Sequence, residues 1–98
     1  MEDRELLESA AKAAGMTLTL GGYKGAQRSD ENGRVWNPLT DDGDALRLAV
    51  ACCLPLDIED YQTLVDPLGI YELHTNDPYA ATRRAIVRAA AEIGRKMK

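Results

Sequence analysis

The most constraining feature of this chain is a proline placed where a long helix begins. Asp77 offers a side-chain acceptor ahead of Pro78, whose missing N–H costs nothing in the first helical turn. The chain then keeps helical register from Tyr79 to about Lys96. Tyr79, Ile86, Ala90, Ile93 and Met97 fall on one side, with Val87 widening the stripe. Arg83, Arg84, Arg88 and Glu92 fall mostly off it. A helix with such a stripe is unstable alone, so the rest of the chain must cover it.

Two further helices are predicted. In the first, Glu2-Asp3 caps or charges the start, Leu6, Leu7, Ala10 and Ala14 form the stripe, and Gly15 takes the position of a C-terminal glycine cap. The second spans Thr40 to Leu54. Thr40 or Asp41 caps it, and Asp41, Asp42 and Asp44 load its first turn with negative charge. Leu46, Ala49, Val50 and Cys53 form its predicted stripe, and Leu54-Pro55 ends it.

Between the helices the period changes to two. Met16-Thr17-Leu18-Thr19-Leu20 alternates as a half-buried strand, Gln27 to Gly33 reads as a polar hairpin loop, and Arg34-Val35-Trp36 as a short returning strand. Leu56-Asp57-Ile58 and Gly69 to Leu73 alternate again, joined through the turn signature Asp66-Pro67-Leu68-Gly69. The order is therefore α-β-β-α-β-β-α. Two hairpins separated by a helix do not make a doubly wound parallel sheet. The expectation is an α+β fold, a four-stranded and mainly antiparallel sheet packed with three helices, over a single domain at residues 1–98.

Composition supports one ordinary globular domain, with 45% apolar and 29% charged residues in 98. With no Phe, one Trp and four Tyr, the core must be built mainly from Leu, Ile, Val and Ala. The formal net charge of −4 argues against generic nucleic-acid binding, which draws its affinity from a basic face. The charge is nevertheless uneven: acids crowd Asp30 to Glu31, Asp41 to Asp44 and Asp57 to Asp60, while Arg83, Arg84, Arg88, Arg95, Lys96 and Lys98 sit at the C-terminal end. Met1-Glu2-Asp3-Arg4-Glu5 is charged at once, so no leader peptide is expected, and no stretch reaches the roughly 20 apolar residues of a membrane span. The adjacent Cys52 and Cys53 build no disulfide framework, and a reducing cytoplasm is the expected location.

Catalytic chemistry finds little support. His74 is the single histidine and has no flanking signature of a nucleophilic triad. An enzyme would need a pocket that gathers His74 with a carboxylate such as Asp60 or Glu72. Asp41-Asp42-Gly43-Asp44 lacks the alternate ligand spacing of a calcium loop and runs straight into a helix, so it reads as a cap, and zinc has no Cys/His spacing to use. Gly21-Gly22-Tyr23-Lys24-Gly25 is glycine-rich but leads to a polar loop and not to a helix, which makes it a weak phosphate cradle. No catalytic residue, metal or cofactor is expected. Two groups remain as candidate binding residues. Trp36 and Asn37 sit at a loop edge beside the acidic cap, where a tryptophan either covers the core or anchors a partner. Tyr79, Arg83 and Arg84 open the last helix, where the dipole does not favour cations. Those arginines are balanced either by Asp41 to Asp44 or by an external phosphate or carboxylate.

The segments Trp36-Asn37-Pro38-Leu39-Thr40-Asp41-Asp42-Gly43-Asp44-Ala45-Leu46-Arg47-Leu48-Ala49-Val50 and Asp77-Pro78-Tyr79-Ala80-Ala81-Thr82-Arg83-Arg84, continuing to Gly94, resemble small proteins of tailed bacteriophages and prophages, the phage α-β-α sandwich domain. Asp3 to Gly15 fits as well, so the resemblance covers the three helices and about half the chain; Met16 to Val35 and Leu56 to Thr75 lie outside it. It implies a phage accessory protein made in the cytoplasm of an infected bacterium, and it implies no reaction. The expected function is non-enzymatic: a counter-defence binder that either sequesters a host nucleotide signal or inhibits a host protein. The alternative is a structural or morphogenesis accessory, or an oligomerising interaction module. A homo-oligomer is compatible with each.

Overall fold

The computed structural model describes residues 2–16, 35–66 and 68–97, and the backbone of 19–21 and 27–29. The elements are α1 (Asp3–Ala13), β1 (Thr19–Gly21), β2 (Gln27–Ser29), α2 (Asp42–Ala51), β3 (Leu56–Ile58), β4 (Gln62–Val65), β5 (Ile70–Leu73) and α3 (Pro78–Lys96). The fold is α+β with three helices, as the periodicities predicted. The four-stranded sheet is not seen. Among the described residues, β1 and β2 pair with each other, and β3, β4 and β5 form a separate antiparallel meander.

Two local readings account for the difference. The return strand of the first hairpin is Gln27–Ser29, within the stretch expected to be loop, and Trp36 is a core residue. Residues 17, 18, 22–26 and 30–34, which carry the middle of the expected first strand, the glycine-rich Gly22 to Gly25 and Arg34, lie outside the described residues. In the second hairpin the missed element is β4. Its inward positions are Thr63 and Val65, both fully buried, and a polar residue on the buried face hides the alternation. Thr63 is paired there: its Oγ1 lies 2.7 Å from His74 Nε2 and 2.7 Å from Thr82 Oγ1, so the burial leaves no orphaned hydroxyl.

The starts of α2 and α3 follow capping chemistry, while Glu2 ahead of α1 makes no side-chain cap bond. Asp41 accepts a hydrogen bond from the Asp44 amide at 2.8 Å, and Asp77 accepts from the amides of Tyr79 and Ala80. Two helix ends share one hydrogen-bond pattern. At the end of α1, Gly15 N–H donates to the Lys12 carbonyl and Met16 N–H to that of Ala11; at the end of α2, Cys53 donates to Val50 and Leu54 to Ala49. This pair of bonds is the Schellman closure, which needs a left-handed residue in between. Gly15 supplies it at φ +74°, but in α2 the residue is Cys53, at φ +53°. A Cβ in that conformation costs about 1 kcal/mol. We therefore expect Cys53→Gly to stabilise the protein by roughly 0.5–1 kcal/mol, read as a rise of a few degrees in Tm.

α3 is the hub. It packs on α1 and α2 through Ile86, Val87, Ala90 and Ala91, and on β4 and β5 through Ala85 and Ala89. Leu54 and Leu56, on the segment leading into the meander, touch both clusters and join them. α1 and α3 run in the same direction, since Asp3 meets Arg84 near their starts and Lys12 reaches the Met97 carbonyl near their ends. Gly94 is buried where they meet: a Cβ there would lie inside the Ser9 carbonyl. The buried face of α2 is Ala45, Leu48 and Ala49. Leu46 and Val50, expected inward, are 62% and 69% exposed. This helix is apolar on nearly every side, so periodicity alone did not choose its face.

Candidate functional site

The segment that looked most like a signature proves to be the scaffold of a helix start. Trp36 is 6% exposed and lies in the cluster formed with α1, α2 and α3. Asn37 folds the turn that follows it. Its Oδ1 accepts from the Leu39 amide at 3.0 Å, and its carbonyl accepts from the amides of Thr40 and Asp41. Its own amide donates to Asp44 Oδ2 at 2.9 Å, while Arg47 donates to Asp44 Oδ1 at 2.7 Å, so the buried Asp44 carboxylate is satisfied from both sides. Trp36 and Asn37 thus hold the entry to α2 in place, Trp36 buried and Asn37 half-buried.

Tyr79, Arg83 and Arg84 do not converge. A helix turns by about 100° per residue, so neighbouring arginines face different flanks. Arg83 turns towards α2, where Nε donates to the Leu39 carbonyl at 2.9 Å and Nη1 to Asp42 at 2.6 Å. Arg84 turns towards α1 and donates to Asp3 at 3.2 Å. Tyr79 shares the flank of Arg83 and is 69% exposed. An arginine-and-tyrosine pocket built from all three residues is therefore not assembled within the chain.

On the Arg83 flank lies an open groove of about 580 Å³ between the first half of α3, the outer side of α2 and the end of the meander. Leu56 and Ile86 line its apolar floor, and Leu46, Ile58 and Tyr79 line it as large apolar side chains, each more than half exposed. Asp42, Glu59 and Asp60 also line it, against the single guanidinium of Arg83, which Asp42 already engages. This is the opposite of a phosphate site: the carboxylates outnumber the cation and the apolar surface is wide.

His74 also lines the groove, near Asp60. Its Nε2 is tied to Thr63, which is buried beyond the reach of a substrate. The chain His74–Thr63–Thr82 joins the end of β5, β4 and α3, and its evident work is to fix these three elements relative to one another. The thiols lie at the far end of α2. Burial, and secondarily the neighbouring Cys53, pushes the Cys52 thiol up from its ordinary value, away from the thiolate that nucleophilic chemistry requires.

Of the residues singled out by sequence, Tyr79 and Arg83 line this groove, as do His74 and Asp60, while Leu46, Ile58 and Glu59 were not singled out. Leu46 had been assigned to the core, and nothing in the local pattern signals that α2 and β3 meet across a cleft. Among the described residues no group of His, Cys, Asp or Glu is arranged to hold a metal ion, and no helix is long and apolar enough to cross a membrane. No family model, no curated protein and no solved structure matches this chain.

Proposed function

We propose that this is a small non-enzymatic binding protein, a phage accessory that inhibits a host protein by occupying it, and that the groove between α2, β3 and α3 is the docking surface. One observation carries the reading: Leu46, Ile58 and Tyr79 stand 62%, 62% and 69% exposed around one cleft that also carries three carboxylates. Clustered exposed apolar side chains with a polar rim mark a protein-binding surface. The acidic rim selects the partner's chemistry, a segment that inserts apolar side chains and carries Lys or Arg beside them. The resemblance of the helices to phage proteins supports the setting. The nucleotide version is weaker at this groove, because its carboxylates would oppose a phosphate and Arg83 is already held by Asp42 and Leu39.

The test uses two amphipathic helical peptides of equal length, one of Leu and Lys and one of Leu and Glu, titrated while amide resonances are followed. The Leu/Lys peptide is expected to shift the amides around Leu46, Ile58 and Tyr79 and the Leu/Glu peptide to leave them in place. Ile58→Ala combined with Tyr79→Ala should weaken binding at least tenfold, since fully covering each such side chain is worth roughly 1.5–3 kcal/mol. Equal response to both peptides, or none, would remove the groove as a docking surface. A dimer in light scattering that dissolves in the same double variant would assign it to a second copy of the chain.

A further inference from the structure

The opposite flank of α3 carries a different surface. A groove of about 880 Å³ runs between the second half of α3, the start of α1 and β5, within the range of roughly 300–1,000 Å³ typical of small-molecule sites. Arg84, Arg88 and Arg95 recur along one side of α3 and line it together with Lys96. These four cations face two lining carboxylates, Glu72 and Glu92, on a chain whose net charge is −4. Local positive charge of this kind runs against the composition. The floor is apolar, made by Leu6, Leu68, Ile70 and Ala91.

Each cation has an internal partner, and each partnership leaves capacity. Arg84 donates to Asp3 through Nη1, Arg88 to Glu72 and the Tyr71 carbonyl through Nη1, and Arg95 to both oxygens of Glu92 through Nη2. Among the described residues one nitrogen of each guanidinium is engaged, and a guanidinium has five N–H donors. The pairs made by Arg84 and Arg95 lie at the surface with their cations partly open to solvent, where a doubly charged phosphate displaces or joins them. The hydrogen bond from Arg95, with help from Lys96, holds the Glu92 carboxyl below its ordinary range.

We propose that this groove binds a nucleoside di- or triphosphate, its phosphates on Arg84, Arg88, Arg95 and Lys96 and its base over the half-buried Leu68 and Ile70. The arginine row suits several phosphates in succession, and the floor gives a planar body something to cover that bare polyphosphate lacks. This site is separate from the docking groove, so either can fail without the other.

Calorimetric titration of the whole protein with ATP, pyrophosphate and adenosine at low salt tests it. ATP is expected to bind at least tenfold more tightly than pyrophosphate, adenosine not detectably, and the ATP affinity to fall as salt rises. The double variant Arg95→Ala/Lys96→Ala lies in the exposed last turn and keeps the core intact. It should weaken ATP at least tenfold, as should Arg88→Lys, which keeps the charge but loses the fork. Tyr79→Ala, on the other flank, should leave ATP affinity unchanged. Absence of ATP binding to the folded protein would overturn the proposal. So would binding indifferent to the double variant, binding lost in Tyr79→Ala, or pyrophosphate binding as tightly as ATP.

Discussion

Replacing Gly94 with alanine is expected to destabilise the protein by about 2 kcal/mol, although alanine favours a helix interior over glycine by roughly 1 kcal/mol. The sign is set by the neighbour. A Cβ at position 94 meets the backbone carbonyl of Ser9 and approaches the Ala13 amide, so α1 and α3 must separate before it fits. Overpacking of a tight contact costs typically about 1–3 kcal/mol, and separating the helices also loosens the Ala-rich faces on either side. Thermal unfolding should show a drop in Tm of roughly 10 °C or more. Ser9→Ala should not rescue it, because the obstructing atom belongs to the main chain and not to the serine side chain. A rise in Tm would mean that the two helices are further apart than described.

Trp36→Ala should cost more, about 3–5 kcal/mol. The indole fills the junction of α1, α2 and α3 in a core otherwise made from Leu, Ile, Val and Ala, and no neighbour is large enough to close the space it would leave. Domains of this size have about 5–15 kcal/mol of stability in total, so the variant should be near its unfolding midpoint in dilute urea. Trp36→Phe, which keeps most of the apolar volume, should lose far less. Because the chain has one tryptophan, the emission of the native protein reports this site directly and should be blue-shifted and poorly quenched by acrylamide. Emission like that of free tryptophan, with a urea midpoint unmoved in Trp36→Ala, would place the indole on the surface and return it to the list of partner anchors.

Two helix starts and one helix end were the most legible parts of this sequence, whereas α2 stops at Ala51, short of the expected Leu54-Pro55. Asp41, Asp77-Pro78 and Gly15 each announce their element through a local interaction that needs no distant partner, and each is found as predicted. The strands were less legible where the buried face carries a polar group. Thr63 is stable inside because His74 and Thr82 come to it from elsewhere in the chain, and no period-two pattern contains that information. The face of α2 was illegible for the opposite reason: with Ala45, Leu46, Leu48, Ala49 and Val50 all apolar, the choice lies with α3 and Trp36. The candidate site was legible in part. Tyr79 and Arg83 share a groove, whereas Arg84 belongs to another and Trp36 and Asn37 shape the route into α2. Whether a charge is paired within the chain or offered to a ligand depends on which element arrives opposite it, as Asp42 does for Arg83.

The parallel seating of α1 against α3 has a consequence for how the protein is made. The Lys12 side chain and the Met97 carbonyl meet across 85 positions of sequence, and α3 lines both apolar clusters. While the chain emerges from a ribosome, α1 is finished before α3 and then waits, because its partner surface is synthesised after every other element described. Until Gly94 clears the exit tunnel, neither half of the interior can close, and the apolar side of α1 stays exposed to chaperones. Closing so long a loop before its contacts form also slows the folding step itself. Assembly of this fold therefore waits for α3, and a nascent chain gains its protection from proteases only once that helix is available.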